Sequence, residues 1–223
     1  MFRVKICGIT TADDARVAAR AGADAVGLNF YAKSPRYVEP DEARRIIGAL
    51  PSGVVKVGLF VNASVGEIAQ TFDELGLDLV QLHGGEPPEL LARLGERPVM
   101  RAFRVGGEGL EPVADYLEAC RGLGCLPRLV LLDSRAEGAY GGTGKVGDWA
   151  TLARYPIHPW HPPLVLAGGL RPENVAEAVR AVQPAGVDTA SGVESSPGRK
   201  AAALVERFVA AALDAFGPAD GGC

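Results

Sequence analysis

Short apolar runs alternate with amphipathic stretches along this sequence, and the alternation limits the fold more than any other feature does. Its spacing predicts strands over residues 3–6, 23–28, 54–60, 78–82, 99–103, 129–133, 164–167 and 186–189. It predicts helices over residues 11–21, 41–50, 65–75, 88–94, 112–121, 148–153, 172–182 and 200–216. Runs such as VVKVGLF and LVLLD are almost continuously apolar, which is typical of parallel strands covered on both faces.

Eight strand–helix units occupy nearly the whole chain. This number favours a closed barrel over an open doubly wound sheet, which usually has fewer strands. We therefore predict an α/β fold, a single-domain (β/α)8 TIM barrel over residues 1–216 followed by a flexible tail over 217–223. Because 223 residues leave about 28 for each unit, we expect a barrel with little decoration.

Residues that begin and end helices support this division of the chain. Thr10 or Thr11 is positioned to cap the first helix, and prolines stand at the start of two others, Pro40 and Pro172. A glycine follows three of the predicted helices, where a left-handed C-cap favours this residue: Gly22, Gly76 and Gly95.

The composition excludes several classes of protein. A chain with 48% hydrophobic and 22% charged residues is globular rather than disordered. Its net charge of -4 gives no support for nonspecific binding to nucleic acid or to a membrane surface. No apolar run reaches the roughly 18 residues of a membrane span, and the first residues do not resemble a secretion signal. Since the cysteines show neither a disulfide nor a zinc pattern, we expect a cytoplasmic protein without a bound metal.

Polar or small residues come directly after the predicted strands. The carboxyl ends of the strands in such a barrel meet at one rim, where active sites are built. We therefore predict an active site formed by some of the following residues: Cys7, Asn29, Asn62, His83, Arg104, Asp133, Gly168 and Ser191.

Two of these residues, Cys7 and Asp133, are candidates for proton transfer. Cys7 is either a small buried hydrophobe or, in the N-terminal field of the helix that follows, a thiolate acting as base or nucleophile. Asp133 follows four apolar residues and is either a cap or ion-pair partner at the rim or a general acid. A base on the first strand and an acid on the sixth would face each other across the barrel mouth, which suits proton transfer better than hydrolysis.

Glycines after the last two strands are candidates for phosphate binding. Gly168 and Gly169 follow the seventh strand, and Ser191 and Gly192 follow the eighth. Glycine allows a close approach of the backbone, and peptide N–H groups can surround an anion without a lysine. One glycine pair alone indicates only a turn, but both together predict the phosphate site that recurs at these loops of the fold.

Other rim candidates are less specific. Arg36, in the loop SPRY, is either a solvated side chain or a bidentate clamp for a carboxylate or phosphate. His83, in QLHGGE, is either a substrate contact or a helix cap. The glycine-rich segment 140–145 is suited to a lid that excludes water. His158 and His161 lack a third ligand in their motif, so no metal site is expected there.

Together these motifs resemble the phosphoribosylanthranilate isomerase family of tryptophan biosynthesis over essentially the whole chain. They occur in the order KICGIT at 5–10, GLNFYAKSPRYV at 27–38, GLFVN at 58–62, QLHGGE at 81–86, LLDS at 131–134, GGTG at 141–144, LAGGL at 166–170 and SGVESSPGRK at 191–200. The chain departs from the family pattern at Gly147, Ala190 and Ala201, none of which is a proposed acid or base.

The resemblance implies a (β/α)8 barrel that catalyses an Amadori rearrangement. N-(5-phosphoribosyl)anthranilate, an aminoaldose, would become the aminoketose 1-(2-carboxyphenylamino)-1-deoxyribulose 5-phosphate. The resemblance also implies roles for Cys7 as the base, Asp133 as the general acid, Arg36 as the contact for the anthranilate moiety, and residues 168–169 and 191–192 as the phosphate loops. Because an iminium nitrogen is itself the electron sink, no metal or organic cofactor is expected.

Two alternatives stay open at this point. One is another phosphosugar barrel enzyme. Indole-glycerol-phosphate synthase would be expected to carry a catalytic lysine near its first strand. In this chain Lys5 is on that strand but lies one layer deeper than Cys7. A histidine-pathway isomerase would be expected to have aspartate in place of Cys7. The other is an inactive barrel that only binds a phosphoribosyl ligand, against which the retention of Cys7 and Asp133 argues. We expect a monomer or homodimer whose partner is a small phosphorylated substrate.

Overall fold

The computed structural model describes residues 1–134 and 148–218. Eight strands form the central sheet: β1 (Val4–Cys7), β2 (Ala25–Asn29), β3 (Val55–Phe60), β4 (Leu79–Leu82), β5 (Val99–Arg104), β6 (Leu129–Asp133), β7 (Leu164–Ala167) and β8 (Gly186–Thr189). Eight helices follow them: α1 (Ala12–Arg20), α2 (Pro40–Gly48), α3 (Val65–Leu75), α4 (Pro88–Arg93), α5 (Glu111–Gly122), α6 (Trp149–Leu152), α7 (Val175–Val182) and α8 (Ala202–Phe216).

The eight strands pair in chain order to form a closed barrel. Every neighbouring pair is parallel, and β8 pairs with β1 through the register Lys5–Asp188. The predicted (β/α)8 barrel is thus confirmed. The predicted tail at 217–223 lies outside the described residues from 219 onward, and so does the glycine-rich segment 140–145.

Local signals account for several helix ends. The Thr11 side chain accepts a hydrogen bond from Asp14 N at 3.1 Å, so Thr11 rather than Thr10 is the N-cap of α1. Pro40 stands in the first turn of α2, and Gly76 caps α3 in the left-handed conformation.

The start of α7 differs from the prediction. The helix was expected from Pro172 but begins at Val175. Arg171 N donates to Asn174 Oδ1 at 2.7 Å, and this side chain–backbone bond holds a turn in the place of the first helical turn.

Residues 191–200 also differ from the prediction, which had a helix begin at residue 200. A short 3₁₀ helix, Ser191–Val193, is followed by a hairpin of two antiparallel strands, β9 (Glu194–Ser196) and β10 (Arg199–Lys200). Lys200 is thereby placed opposite Glu194 instead of in α8.

The apolar core has two layers, as strands covered on both faces require. Alternate strand residues point into the barrel, where Phe2 joins Val57, Leu79, Met100, Leu131 and Val165. The other strand residues, such as Ile6 and Leu132, belong to the outer layer of the core together with helix residues such as Phe208 of α8. No helix among the described residues is long and apolar enough to span a membrane.

The loops after β7 and β8 are packed against each other. Thr189 Oγ1 donates to the Leu170 carbonyl oxygen at 2.8 Å. Gly192 lies so close to the same carbonyl that an added Cβ would overlap it. The absence of a side chain at residue 192 is therefore what lets the two loops meet.

We expect Gly192→Ala to destabilise the fold, because the new methyl group must push the Leu170 backbone away. Overpacking of this kind costs about 1–3 kcal/mol, measured as a lower free energy of unfolding in urea. Gly66→Ala is the control, since Gly66 lies exposed in α3 with its nearest neighbouring atom 4.0 Å from the added Cβ. Equal stabilities of the two variants would contradict the argument.

Candidate active site at the carboxyl-terminal rim

The strands deliver the predicted polar residues to one rim. Cys7, Asn29, Arg104 and Asp133 are the last residues of β1, β2, β5 and β6. Arg104 and Asp133 are direct register partners, so they lie side by side on neighbouring strands. The rim arrangement expected from the sequence is present.

Cys7 lies in a crowded, buried position beside Gly27 of β2. The residue is 6% exposed. A Cβ added to Gly27 would lie 2.7 Å from Cys7 Sγ and 3.1 Å from Lys5 Nζ. The thiol and the ammonium group therefore lie close together beside Gly27, and the charge of Lys5 acts on the pKa of Cys7.

Lys5 lies inside the barrel beneath Cys7 and is paired with Asp188. Lys5 is 0% exposed, and its Nζ donates to Asp188 Oδ1 at 2.9 Å. Burial by itself lowers the pKa of Lys5, but Asp188 and Cys7 outweigh this effect and raise the pKa above its ordinary value. Lys5 therefore remains a cation near the thiol.

The protonation of Cys7 is set by opposing effects. The field of the first helix was expected to favour a thiolate, and α1 begins at Ala12, beyond the end of β1. Burial and the charge of Asp188 raise the pKa of Cys7, the charges of Lys5 and Lys200 oppose that rise, and the pKa stays above its ordinary value. Burial thus disfavours the thiolate, and the two lysines are the side chains that stabilise it.

Asp133 lies half-buried next to Gly168. A Cβ added to Gly168 would lie 2.5 Å from Asp133 Oδ1. Gly168 also has a φ of +98°, so both the backbone conformation and the available space require glycine. This glycine leaves room for the carboxyl group at the mouth of the barrel.

His83 comes directly after β4, within reach of the charges of Asp133 and Asp188. Burial lowers the pKa of His83, and the charges of Asp133 and Asp188 act in the opposite direction. Its Nδ1 is 3.2 Å from Gln81 Nε2. The helix-cap alternative is wrong, because the N-cap of α4 is Pro87 and no side chain caps that helix.

The loop after β2 places the Arg36 side chain against Gly8, the residue that follows β1. Ser34 Oγ accepts hydrogen bonds from Asn29 Nδ2 at 3.0 Å and from Arg36 N at 3.1 Å. The aliphatic part of Arg36 packs against Gly8, so closely that a side chain at residue 8 would collide with it. Arg36 therefore lies next to Cys7 rather than in solvent.

Arg36 also has a partner that the sequence did not indicate. Its Nε and Nη2 donate to the two carboxylate oxygens of Glu194 at 2.8 and 2.6 Å. Glu194 in turn accepts from Lys200 Nζ at 2.8 Å. The guanidinium group is thus a fixed, ion-paired group.

Sequence reasoning missed four charged residues near the rim: Lys5 as a partner of the thiol, Asp188, Glu194 and Lys200. Lys5 and Asp188 carry a signal, because each interrupts an apolar strand at an inward-facing position, where an unpaired charge is costly. Glu194 and Lys200 carry no comparable signal. Among the described residues, no group of three or more His, Cys, Asp or Glu side chains is placed to hold a metal ion.

Comparisons with known proteins agree on one family. The family model described as N-(5'phosphoribosyl)anthranilate (PRA) isomerase matches residues 4–211. The N-(5'-phosphoribosyl)anthranilate isomerase of Trichlorobacter lovleyi is 49% identical over 217 residues, which cover 97% of this chain and 100% of that protein. The counterpart of Acidithiobacillus ferrooxidans is 47% identical over 94% of this chain and 97% of its own length.

A solved structure shows the same fold. The phosphoribosyl anthranilate isomerase of Thermotoga maritima superposes with a TM-score of 0.81 at 42% identity, covering 95% of this chain and 98% of that chain. A phosphoribosyl anthranilate isomerase has also been solved in complex with reduced 1-(o-carboxyphenylamino)-1-deoxyribulose 5-phosphate. It has a TM-score of 0.77 at 40% identity, covering 95% of this chain and 98% of that chain.

We expect Lys5→Met to raise the pKa of the Cys7 thiol, because the variant removes the adjacent cation and leaves the Asp188 charge. A nearby positive charge favours the thiolate, so its loss moves the pKa upward. The measurement is the pH dependence of Cys7 alkylation by iodoacetamide, followed by peptide mass spectrometry. Lys56→Met is the matched control, since Lys56 pairs with Asp78 at 3.3 Å away from the rim. A Cys7 profile that is the same in both variants would refute the role of Lys5.

Proposed function

The chain belongs to the N-(5'-phosphoribosyl)anthranilate isomerase family, and on that premise we propose how its rim residues carry out the reaction. It is an aldose–ketose isomerase of tryptophan biosynthesis, converting N-(5-phosphoribosyl)anthranilate to 1-(2-carboxyphenylamino)-1-deoxyribulose 5-phosphate. The observation that carries the proposed roles is that Cys7 and Asp133 end β1 and β6 at the same barrel mouth.

Ring opening is the first step and is assigned to Asp133. Its carboxylic acid donates a proton to the furanose ring oxygen. The bond between that oxygen and C1′ breaks, and the lone pair of the anthranilate nitrogen forms a C=N bond, which gives an iminium ion. The position of Asp133 at the end of an apolar strand, with Gly168 leaving space beside it, supports this role.

Proton removal from C2′ is the second step and is assigned to the thiolate of Cys7. The electrons of the C–H bond form a C1′–C2′ double bond, and the iminium pair returns to nitrogen, giving an enolamine. Tautomerisation of the enol at C2′ then yields the ketone. Lys5 supports this step, because its ammonium group stabilises the thiolate form of Cys7. Since the iminium nitrogen accepts the electrons, these residues need no cofactor.

The remaining candidates are assigned to substrate binding. Arg36 binds the carboxylate of the anthranilate moiety, which matches its bidentate geometry. The phosphate lies at the two packed loops of residues 168–169 and 191–192, where backbone N–H groups can surround it. His83 contacts the substrate from the side of β4. Binding at a few local groups agrees with a chain whose net charge of -4 does not attract an anion globally.

We further propose the setting in which the enzyme works. Residues 1–216 form one catalytic domain, and the partner is a small phosphorylated substrate rather than nucleic acid or a membrane. The location is the cytoplasm, and the protein is a monomer or a homodimer. A solved Thermotoga maritima relative is described as dimeric, with monomeric forms generated from it.

The activity is tested with substrate formed in solution. When phosphoribosylanthranilate is generated in situ, we expect the purified protein to accelerate the loss of its fluorescence. Unchanged decay at micromolar protein would contradict the assigned activity.

We expect Cys7→Ala and Asp133→Asn each to reduce kcat by about 10²–10⁴-fold, the usual contribution of one general acid or base. Circular dichroism should show an unchanged fold. Cys120→Ala is the control for Cys7, because Cys120 is also buried but lies in α5 away from the rim. A variant with near-normal kcat would remove that residue from the mechanism.

A further inference from the structure

The strongest unassigned cluster outside the acid and base consists of Arg36, Glu194 and Lys200. Arg36 donates to Glu194 through Nε at 2.8 Å and through Nη2 at 2.6 Å, a side-on ion pair. Lys200 Nζ donates to Glu194 Oε1 at 2.8 Å. The side chains of Glu194 and Lys200 are 4% and 0% exposed, against 22% for Arg36. Only the arginine therefore reaches toward the opening.

We propose that Glu194 and Lys200 are positioning residues that set the specificity for the carboxylate of the substrate. They hold Arg36 with its outer edge facing the anthranilate ring. The inference rests on the proposed binding role of Arg36. Glu194 occupies Nε and one side of Nη2, and none of the described residues hydrogen-bonds to Nη1. The Nη1–Nη2 edge is the one that a second carboxylate can bind bidentately.

The charge of the cluster explains why Lys200 is needed. An arginine paired with one glutamate carries no net charge, so it attracts a carboxylate only weakly. Adding Lys200 as an ammonium ion leaves the cluster with a net charge of +1. Burial lowers the pKa of Lys200, and the hydrogen bond and charge of Glu194 oppose that change. Burial raises the pKa of Glu194, but hydrogen bonds from Arg36 and Lys200 outweigh it and hold the pKa below its ordinary value. Glu194 thus stays ionised and remains paired with Arg36.

The hairpin explains how the cluster is held. Glu194 and Lys200 are register partners on β9 and β10. The hairpin is fastened to the loop after β1, where Thr10 Oγ1 donates to the Gly198 carbonyl at 2.6 Å. Lys200 Nζ also donates to the Ala190 carbonyl at 3.1 Å, directly before Ser191. One buried lysine is therefore bonded both to the support of Arg36 and to the proposed phosphate loop.

The test compares two ligands that differ only in the carboxylate. One is reduced 1-(o-carboxyphenylamino)-1-deoxyribulose 5-phosphate, and the other is the same compound with an unsubstituted phenyl ring. Kd is measured by calorimetry for the wild type, Glu194→Gln and Arg36→Met. The matched control is Asp73→Asn, since Asp73 binds Arg97 in the same side-on manner at Nε (3.1 Å) and Nη2 (2.5 Å), on the outer surface.

We expect Glu194→Gln to weaken the carboxylate ligand about tenfold, or about 1.4 kcal/mol, and the phenyl ligand less than about twofold. KM for the substrate should rise while kcat stays near the wild-type value, which a general loss of structure would not produce. Asp73→Asn should leave both Kd values unchanged. If Glu194→Gln does not fold, Lys200→Met is measured instead, with the same expected selectivity.

Three results would overturn the inference. Equal losses for both ligands would mean that Glu194 only supports the fold. Unchanged Kd values would mean that Arg36 does not need positioning. Tighter binding of the carboxylate ligand would mean that Glu194 competes with the substrate for Arg36. Failure of the proposed function is distinct, because Arg36→Met would then show no selective loss of the carboxylate ligand.

Discussion

The ion pair between Lys5 and Asp188 is the interaction on which the rest of the site depends. The two residues are register partners at the seam where β1 and β8 close the barrel. Each would be costly to bury alone, and the pair is tolerated because the ammonium group donates a hydrogen bond to the Asp188 carboxylate at 2.9 Å. Loss of either side chain would leave an unpaired charge buried inside the barrel, between β1 and β8. The Lys5–Asp188 ion pair therefore lies where β1 meets β8 and also affects the pKa of the Cys7 thiol.

Glycines, which have no side chain, shape the rim as much as the polar side chains do. Gly27 leaves the space that Cys7 and Lys5 share, and Gly168 leaves the space beside the Asp133 carboxyl group. Gly8 lets the Arg36 chain cross just beyond Cys7. Because these glycines lie on different strands and loops, Cys7, Arg36 and Asp133 each have room at the rim without disturbing the barrel. A densely packed interior can hold large polar side chains side by side only where neighbouring residues are small.

Much of the fold could be predicted because its signals are local. The apolar run LVLLD predicts β6 to the residue, and the helix over 65–75 is predicted with both of its ends. The start of α7 was wrong by three residues, since a hydrogen bond between Asn174 and the backbone replaces the first turn. The hairpin of β9 and β10 was missed, because strands of two or three residues have too little periodicity to detect.

The positions of the rim residues were predictable from the sequence, but their electrostatics were not. Each polar residue at a strand end could be found from its place after an apolar run, whereas Arg36 and Glu194 are 158 positions apart and meet only in the fold. The protonation of Cys7 depends on how deeply the barrel buries it, which no local motif reports. The three-dimensional structure separates two ionic groups that the sequence shows only as scattered charges. The inner pair of Lys5 and Asp188 is neutral and acts on the thiol. The outer cluster combines the basic side chains of Arg36 and Lys200 with one carboxylate, that of Glu194, so a chain that is acidic overall concentrates basic groups at one place on the rim.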